Sequence, residues 1–120
     1  MFAFVAYNEI ILNTVCIESI LRVISRKKLR DYYTNNSQSE IPLTEWYYKM
    51  LDVNASNIQV LRQVFNSVDS VYGYTVFNIG GNNYRLITAI HYNTQTCYIR
   101  AIWTHAEYDK PLNKRQIETR

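Results

Sequence analysis

The feature that most constrains this chain is a change of hydrophobic period near Asp69. Before it, apolar residues return at helical spacing, as in Leu43, Trp46, Tyr47 and Met50, and again around Ile58, Leu61 and Phe65. After it the repeat shortens to alternation, the mark of strands with two unlike faces. Helices followed by a run of strands read as an α+β fold, with the helices packed on one face of an antiparallel sheet.

The local signals divide the chain further. Residues 21–25 make a short opening strand with Val23 and Ile24. Ser25 is then the N-cap of a first helix carrying Leu29 and Tyr33, which ends in the polar run TNNSQSE at residues 34–40. Pro42 stands near the start of the second helix, where a missing N–H costs little. Strands are expected at 71–80, 84–92 and 97–104. The first pair is joined by Gly80, Gly81, Asn82 and Asn83, which tolerate positive φ, and the second by a turn over 93–96. Strict alternation places Arg85 with Ile87, Ala89 and His91, opposite Leu86, Thr88 and Ile90. It places Arg100 with Ile102, opposite Ile99, Ala101 and Trp103. Residues 105–110 leave the sheet as one helical turn before Pro111.

Composition limits what such a domain does. One hundred and twenty residues hold one core and one site, and 48% hydrophobic with 19% charged residues is a globular balance rather than a disordered one. The net charge of +3 is mildly basic. Its distribution is uneven: Arg22, Arg26, Lys27, Lys28 and Arg30 crowd one segment, and Lys110, Lys114, Arg115 and Arg120 crowd the tail. Such groups gathered on one face would bind phosphates, and the plain alternative is that they solvate helix surfaces. Cys16 and Cys97 lack metal spacing and read as free thiols. Residues 1–20 are apolar, but they have neither a basic leader region nor a small-residue cleavage site, and Glu9 and Glu18 interrupt them. Neither export nor a membrane span is expected, and the location expected is cytoplasmic.

No Ser, His and acid arrangement and no carboxylate cluster for a two-metal nuclease can be drawn from the spacing, so neither metal nor other cofactor is expected. IGGNN lacks the lysine and glycine spacing of a phosphate loop. What remains is cationic and aromatic: Arg85, Arg100, His105, Tyr108 and Lys110. An RNA 2′-hydroxyl can attack its own phosphate without a metal, given a proton acceptor, a proton donor and positive charge at the phosphorane. His105 titrates nearest neutrality, the two arginines present forks that fit phosphate oxygens, and Tyr108 shares His105's helical face. The plain alternatives are a surface histidine and arginines paired with Glu107 and Asp109.

Residues 76–110, VFNIGGNNYRLITAIHYNTQTCYIRAIWTHAEYDK, resemble the diagnostic half of HigB toxins, with the FNIGGN turn, the YRL and YIR strands and the closing THAEYDK. RVISRKKLRDYY and PLTEWYYKM resemble that family's opening strand and first two helices. The resemblance implies a RelE-like fold, ribosome-dependent cleavage of mRNA and neutralisation by a cognate HigA-like antitoxin. It assigns cleavage to Arg85, Arg100, His105, Tyr108 and Lys110, and RNA contact to Arg26, Lys27, Lys28 and Arg30 in the basic first helix. The alternative is a non-catalytic module of the same fold that binds RNA or antitoxin. Members of this family begin near Leu21, so residues 21–120 are expected to be one toxin domain. Residues 1–20 are then a non-family extension, from an upstream start or a real addition, that packs poorly or forms an isolated helix.

Overall fold

The computed structural model describes residues 21–110 together with Asn113 and Arg115. The expectations for residues 1–20 and for Cys16 lie outside the described residues. Strand β1 (Arg22–Ile24) leads into helix α1 (Arg26–Asn35). Ser25 holds the N-cap position in the left-handed region at φ 74° and ψ 36°, and its hydroxyl caps nothing. That corrects the sequence expectation, because a capping serine needs extended backbone to reach the second or third amide. The Ser25 carbonyl accepts the Lys28 N–H at 2.9 Å instead. At the other end the Asn35 and Asn36 amides donate to the carbonyls of Asp31 and Tyr32, competing with further helix, and a 3-10 turn over Ser37–Ser39 follows.

Helix α2 (Glu40–Leu51) buries Leu43, Trp46 and Met50 on one stripe, the spacing read from the sequence. Helix α3 (Ile58–Val64) begins at Asn57, whose Oδ1 accepts the Gln59 and Val60 N–H groups at 2.9 and 3.3 Å. Phe65 has left the helix at φ −119° and ψ 117° and sets its ring edge-on to Phe77, centroids 5.0 Å apart.

Five strands form one sheet in the order β1–β5–β4–β3–β2, the others being β2 (Asp69–Val71), β3 (Tyr74–Ile79), β4 (Tyr84–His91) and β5 (Thr96–Thr104). Two details depart from the alternation argument. The strand expected at 71–80 starts only at Tyr74, because Tyr72 (φ 50°) and Gly73 (φ 85°) turn the chain there and β2 pairs back on β3 as a hairpin. The sheet is mixed as well: β2 to β5 are antiparallel neighbours, and β1 joins β5 in parallel. The helices between β1 and the meander supply the long crossover that a parallel pair requires.

A β-bulge at Arg100 changes the face assignment. Ile87 pairs with Ala101 and Thr88 with Ile99, so Arg100 faces no partner. Ile99 and Ile102 therefore join the helix-side core with Leu29, Leu43, Trp46, Met50, Leu61, Phe77 and Leu86. Ala101 and Trp103 turn to the opposite face, where Val76 and Ile87 are buried beside Tyr74 and Tyr108. Uninterrupted alternation had put Ile99 with Ala101 and Trp103. On the helix side Trp46 meets Phe77 edge-on at 5.4 Å, the orientation ring quadrupoles favour. Cys97 is fully buried, and burial pushes its thiol up to about 12. No helix among the described residues is long and apolar enough to cross a membrane.

Candidate active site

The site lies on the face away from α1 to α3, where the β3–β4 turn meets the end of β5. Gly80 and Gly81 both take positive φ, at 63° and 71°, and bring Asn82 and Asn83 back over the start of β4. Arg85, only 8% exposed, is gripped by that turn. Its Nη1 donates to the carbonyls of Asn82 and Tyr84, both at 3.3 Å, and its Nη2 donates to Asn82 Oδ1 at 2.9 Å. A guanidinium tied at so many points presents its remaining N–H in a fixed direction.

That direction is His105, whose Nδ1 lies 2.6 Å from Arg85 Nη2. His105 opens helix α4 (His105–Tyr108), which is held in two ways. The His105 N–H donates to Asn83 O at 2.9 Å, fastening the helix to the same turn. Thr104 and Glu107 form a capping box: the Glu107 N–H donates to Thr104 Oγ1 at 3.1 Å, and the Thr104 N–H donates to Glu107 Oε1 at 2.8 Å. Glu107 is thus committed to the cap.

An arginine N–H can only donate, so this bond requires His105 Nδ1 to accept, as it does in the tautomer that carries its proton on Nε2. That Nε2 lies 3.2 Å from Asp109 Oδ2, one helical turn on. Arg85, His105 and Asp109 therefore stand in a row, with the guanidinium at one ring nitrogen and the carboxylate near the other. Tyr108 adds a ring centroid 5.8 Å from the Arg85 guanidinium and 6.3 Å from the Trp103 ring. Burial raises the pKa of its hydroxyl; Arg85 opposes that shift, while Asp69 and Asp109 add to it. Beside this group opens a cleft of about 380 Å³ lined by Asp69, Val71, Val76, Asn78, Arg85 and Tyr108, with Ser67 and Val68 at its end.

Of the residues singled out from the sequence, Arg85, His105 and Tyr108 come together. Lys110 follows directly, its side chain exposed and its N–H donating to Glu107 O at 3.2 Å. Arg100 stands apart from this group at the bulge, exposed, with its guanidinium 5.8 Å above the Tyr98 ring. In the first helix Arg26 lies over Tyr47 at 4.3 Å, Lys27 pairs with Asp31 at 3.6 Å, and Lys28 and Arg30 are exposed. The sequence reading missed Asn82 as a partner of Arg85, and it offered Asp109 to the arginines rather than to His105. Their offsets, three residues before Arg85 and four after His105, were the available signal. Among the described residues no group of three or more His, Cys, Asp or Glu is placed to hold a metal ion.

Helices on one face of a mixed sheet, with an arginine, a histidine and a tyrosine gathered where its last strand ends, define an α+β domain of the RelE-like type. The model of the HigB toxin family, described as the RelE-like toxic component of a toxin–antitoxin system, matches residues 39–111, and the chain belongs to that family. The mRNA interferase toxin HigB of Escherichia coli strain K12 is 30% identical over 92 residues, covering 74% of this chain and 88% of that protein. The mRNA interferase HigB of Shigella flexneri matches equally, and that of Escherichia coli O6:H1 is 25% identical over 93 residues, 75% of this chain and 90% of that protein.

Proposed function

We infer that this protein is an endoribonuclease that cleaves translated mRNA on the ribosome, as the toxin of a toxin–antitoxin pair with a HigA-like antitoxin. Action on translated messages places it in the cytoplasm. The observation that carries the reading is the contact between Arg85 Nη2 and His105 Nδ1. A phosphate entering the site competes for the arginine N–H, because a charge-assisted bond to an anion is stronger than one to a neutral ring. Losing that donor leaves Nδ1 open to accept a proton from the RNA 2′-hydroxyl.

In this mechanism the 2′-oxygen attacks phosphorus, the bond to the 5′-oxygen breaks, and a 2′,3′-cyclic phosphate forms. His105 takes the hydroxyl proton and becomes an imidazolium, which Asp109 stabilises from the Nε2 side. Arg85 neutralises the charge on the phosphorane. Tyr108, kept protonated by burial, donates to the departing 5′-oxygen. Arg100 and Lys110, together with the basic first helix, serve as contacts to flanking phosphates. Controlled expression with primer extension on translated messages tests the reading. Wild type should produce cuts within reading frames, and His105→Ala should not. RNA or antitoxin binding without cuts by the wild type would instead favour the non-catalytic alternative.

A further inference from the structure

The geometry points to the cleft between β2 and Tyr108 as a nucleobase pocket in which Asp69 and Asn78 select a base bearing an amino group over uracil. The inference rests on the reading above for its substrate, and it adds a specificity determinant. The cleft adjoins Arg85, so a base seated there belongs to a nucleotide at the scissile phosphate. Its volume is at the lower end of small-ligand sites, large enough for one planar base. Val71 and Val76 give an apolar floor, and Tyr108 gives a ring for stacking.

Two polar groups reach this space with hydrogen-bonding capacity to spare. Asn78 lies across the strands from Arg85, and its amide has no hydrogen-bond partner among the described residues. Asp69 uses one oxygen, Oδ1, for both the Ser70 N–H at 2.9 Å and Arg62 at 3.9 Å. Its Oδ2 has no partner among the described residues. It can only accept, which suits the amino groups of adenine, cytosine and guanine. Uracil offers one N–H flanked by two carbonyl oxygens that a carboxylate repels, and Asn78 supplies the complementary donor and acceptor.

The test maps cuts on translated messages in which each nucleotide around one strong site is varied, comparing wild type with Asp69→Asn and Asn78→Ala. Wild type should disfavour uracil at one position flanking the cut by on the order of tenfold to a hundredfold. Asp69→Asn should erase that preference at the same position while other positions keep theirs. An unchanged ranking of sites in Asp69→Asn, or no preference in the wild type, overturns the pocket but not the enzyme. Should the wild type cut nothing, fluorescence anisotropy with oligo(A), oligo(C) and oligo(U) still reads the cleft. Tighter binding of the first two, equalised in Asp69→Asn, supports it, and equal binding by the wild type overturns it.

Discussion

Arg85 Nη2 stands 2.6 Å from His105 Nδ1, joining the start of β4 to the head of α4 by a bond in which the ring nitrogen must accept. Long-range 1H–15N NMR should therefore find the free enzyme's His105 protonated at Nε2. Added phosphate or a non-cleavable RNA analogue should shift the Nδ1 resonance as Arg85 is drawn away. His105→Ala should lower cleavage by about 10²- to 10⁴-fold, the usual contribution of a positioned acid or base, with little change in thermal midpoint because the side chain is half exposed. Arg85→Lys keeps the charge but cannot satisfy two carbonyls, Asn82 and His105 together, and should lose activity to a similar degree.

The capping box ties catalysis to a local fold. Thr104→Ala should cost about 0.5–2 kcal/mol, the usual worth of an N-cap, and Thr104→Ser should restore most of it. Hydrogen exchange at the Glu107 amide should quicken in the alanine variant. Cleavage should fall several-fold, since the same short helix carries His105 and Tyr108. Normal exchange with reduced cleavage would separate the cap from the activity.

Core packing gives a prediction independent of the site. Trp46 is 2% exposed and meets Phe77 edge-on. Trp46→Ala should destabilise by about 3–5 kcal/mol in urea titrations, the range for large aromatics in cores. An exposed neighbour, Tyr48→Ala, should change stability by less than about 0.5 kcal/mol.

Alkaline stability follows from Cys97. Its thiol is pushed up to about 12 by burial against an ordinary 9.0, with a Thr88 hydrogen bond acting the other way. The unfolded thiol ionises first, so the native advantage is whole below the unfolded value and is lost as pH rises through the folded one. Unfolding free energy should thus decline between about pH 9 and 12. Tyr32, Tyr92 and Tyr108, all raised by burial, act in the same sense. Cys97→Ala should flatten the slope, read from urea titrations across that window, and native Cys97 should resist alkylation at pH 8 because the thiolate is the reactive form.

Much of the fold was legible because its signals are local. Leu43, Trp46 and Met50 declared a buried helix stripe, and Gly80 to Asn83 declared a turn, each within one stretch of chain. The failures were non-local or hinged on one residue. Nothing in RVI says that β1 will lie parallel to a strand more than seventy positions away. Tyr72 with positive φ is uncommon, so the β2–β3 hairpin was hidden in what read as one strand. At the site, residue types nominated Arg85, His105 and Tyr108. Asn82, which orients Arg85, was hidden because turn residues have structural work of their own, and Asp109 read as a partner for arginine rather than for His105.

Because Ile87 opposes Ala101 and Thr88 opposes Ile99, the two halves of the ladder already abut without Arg100. A chain lacking that one residue could keep every neighbouring partner and both hydrophobic layers unaltered. The ladder therefore makes no demand for Arg100, and its exposed guanidinium, 5.8 Å from the Tyr98 ring centroid, is free to change without disturbing either layer.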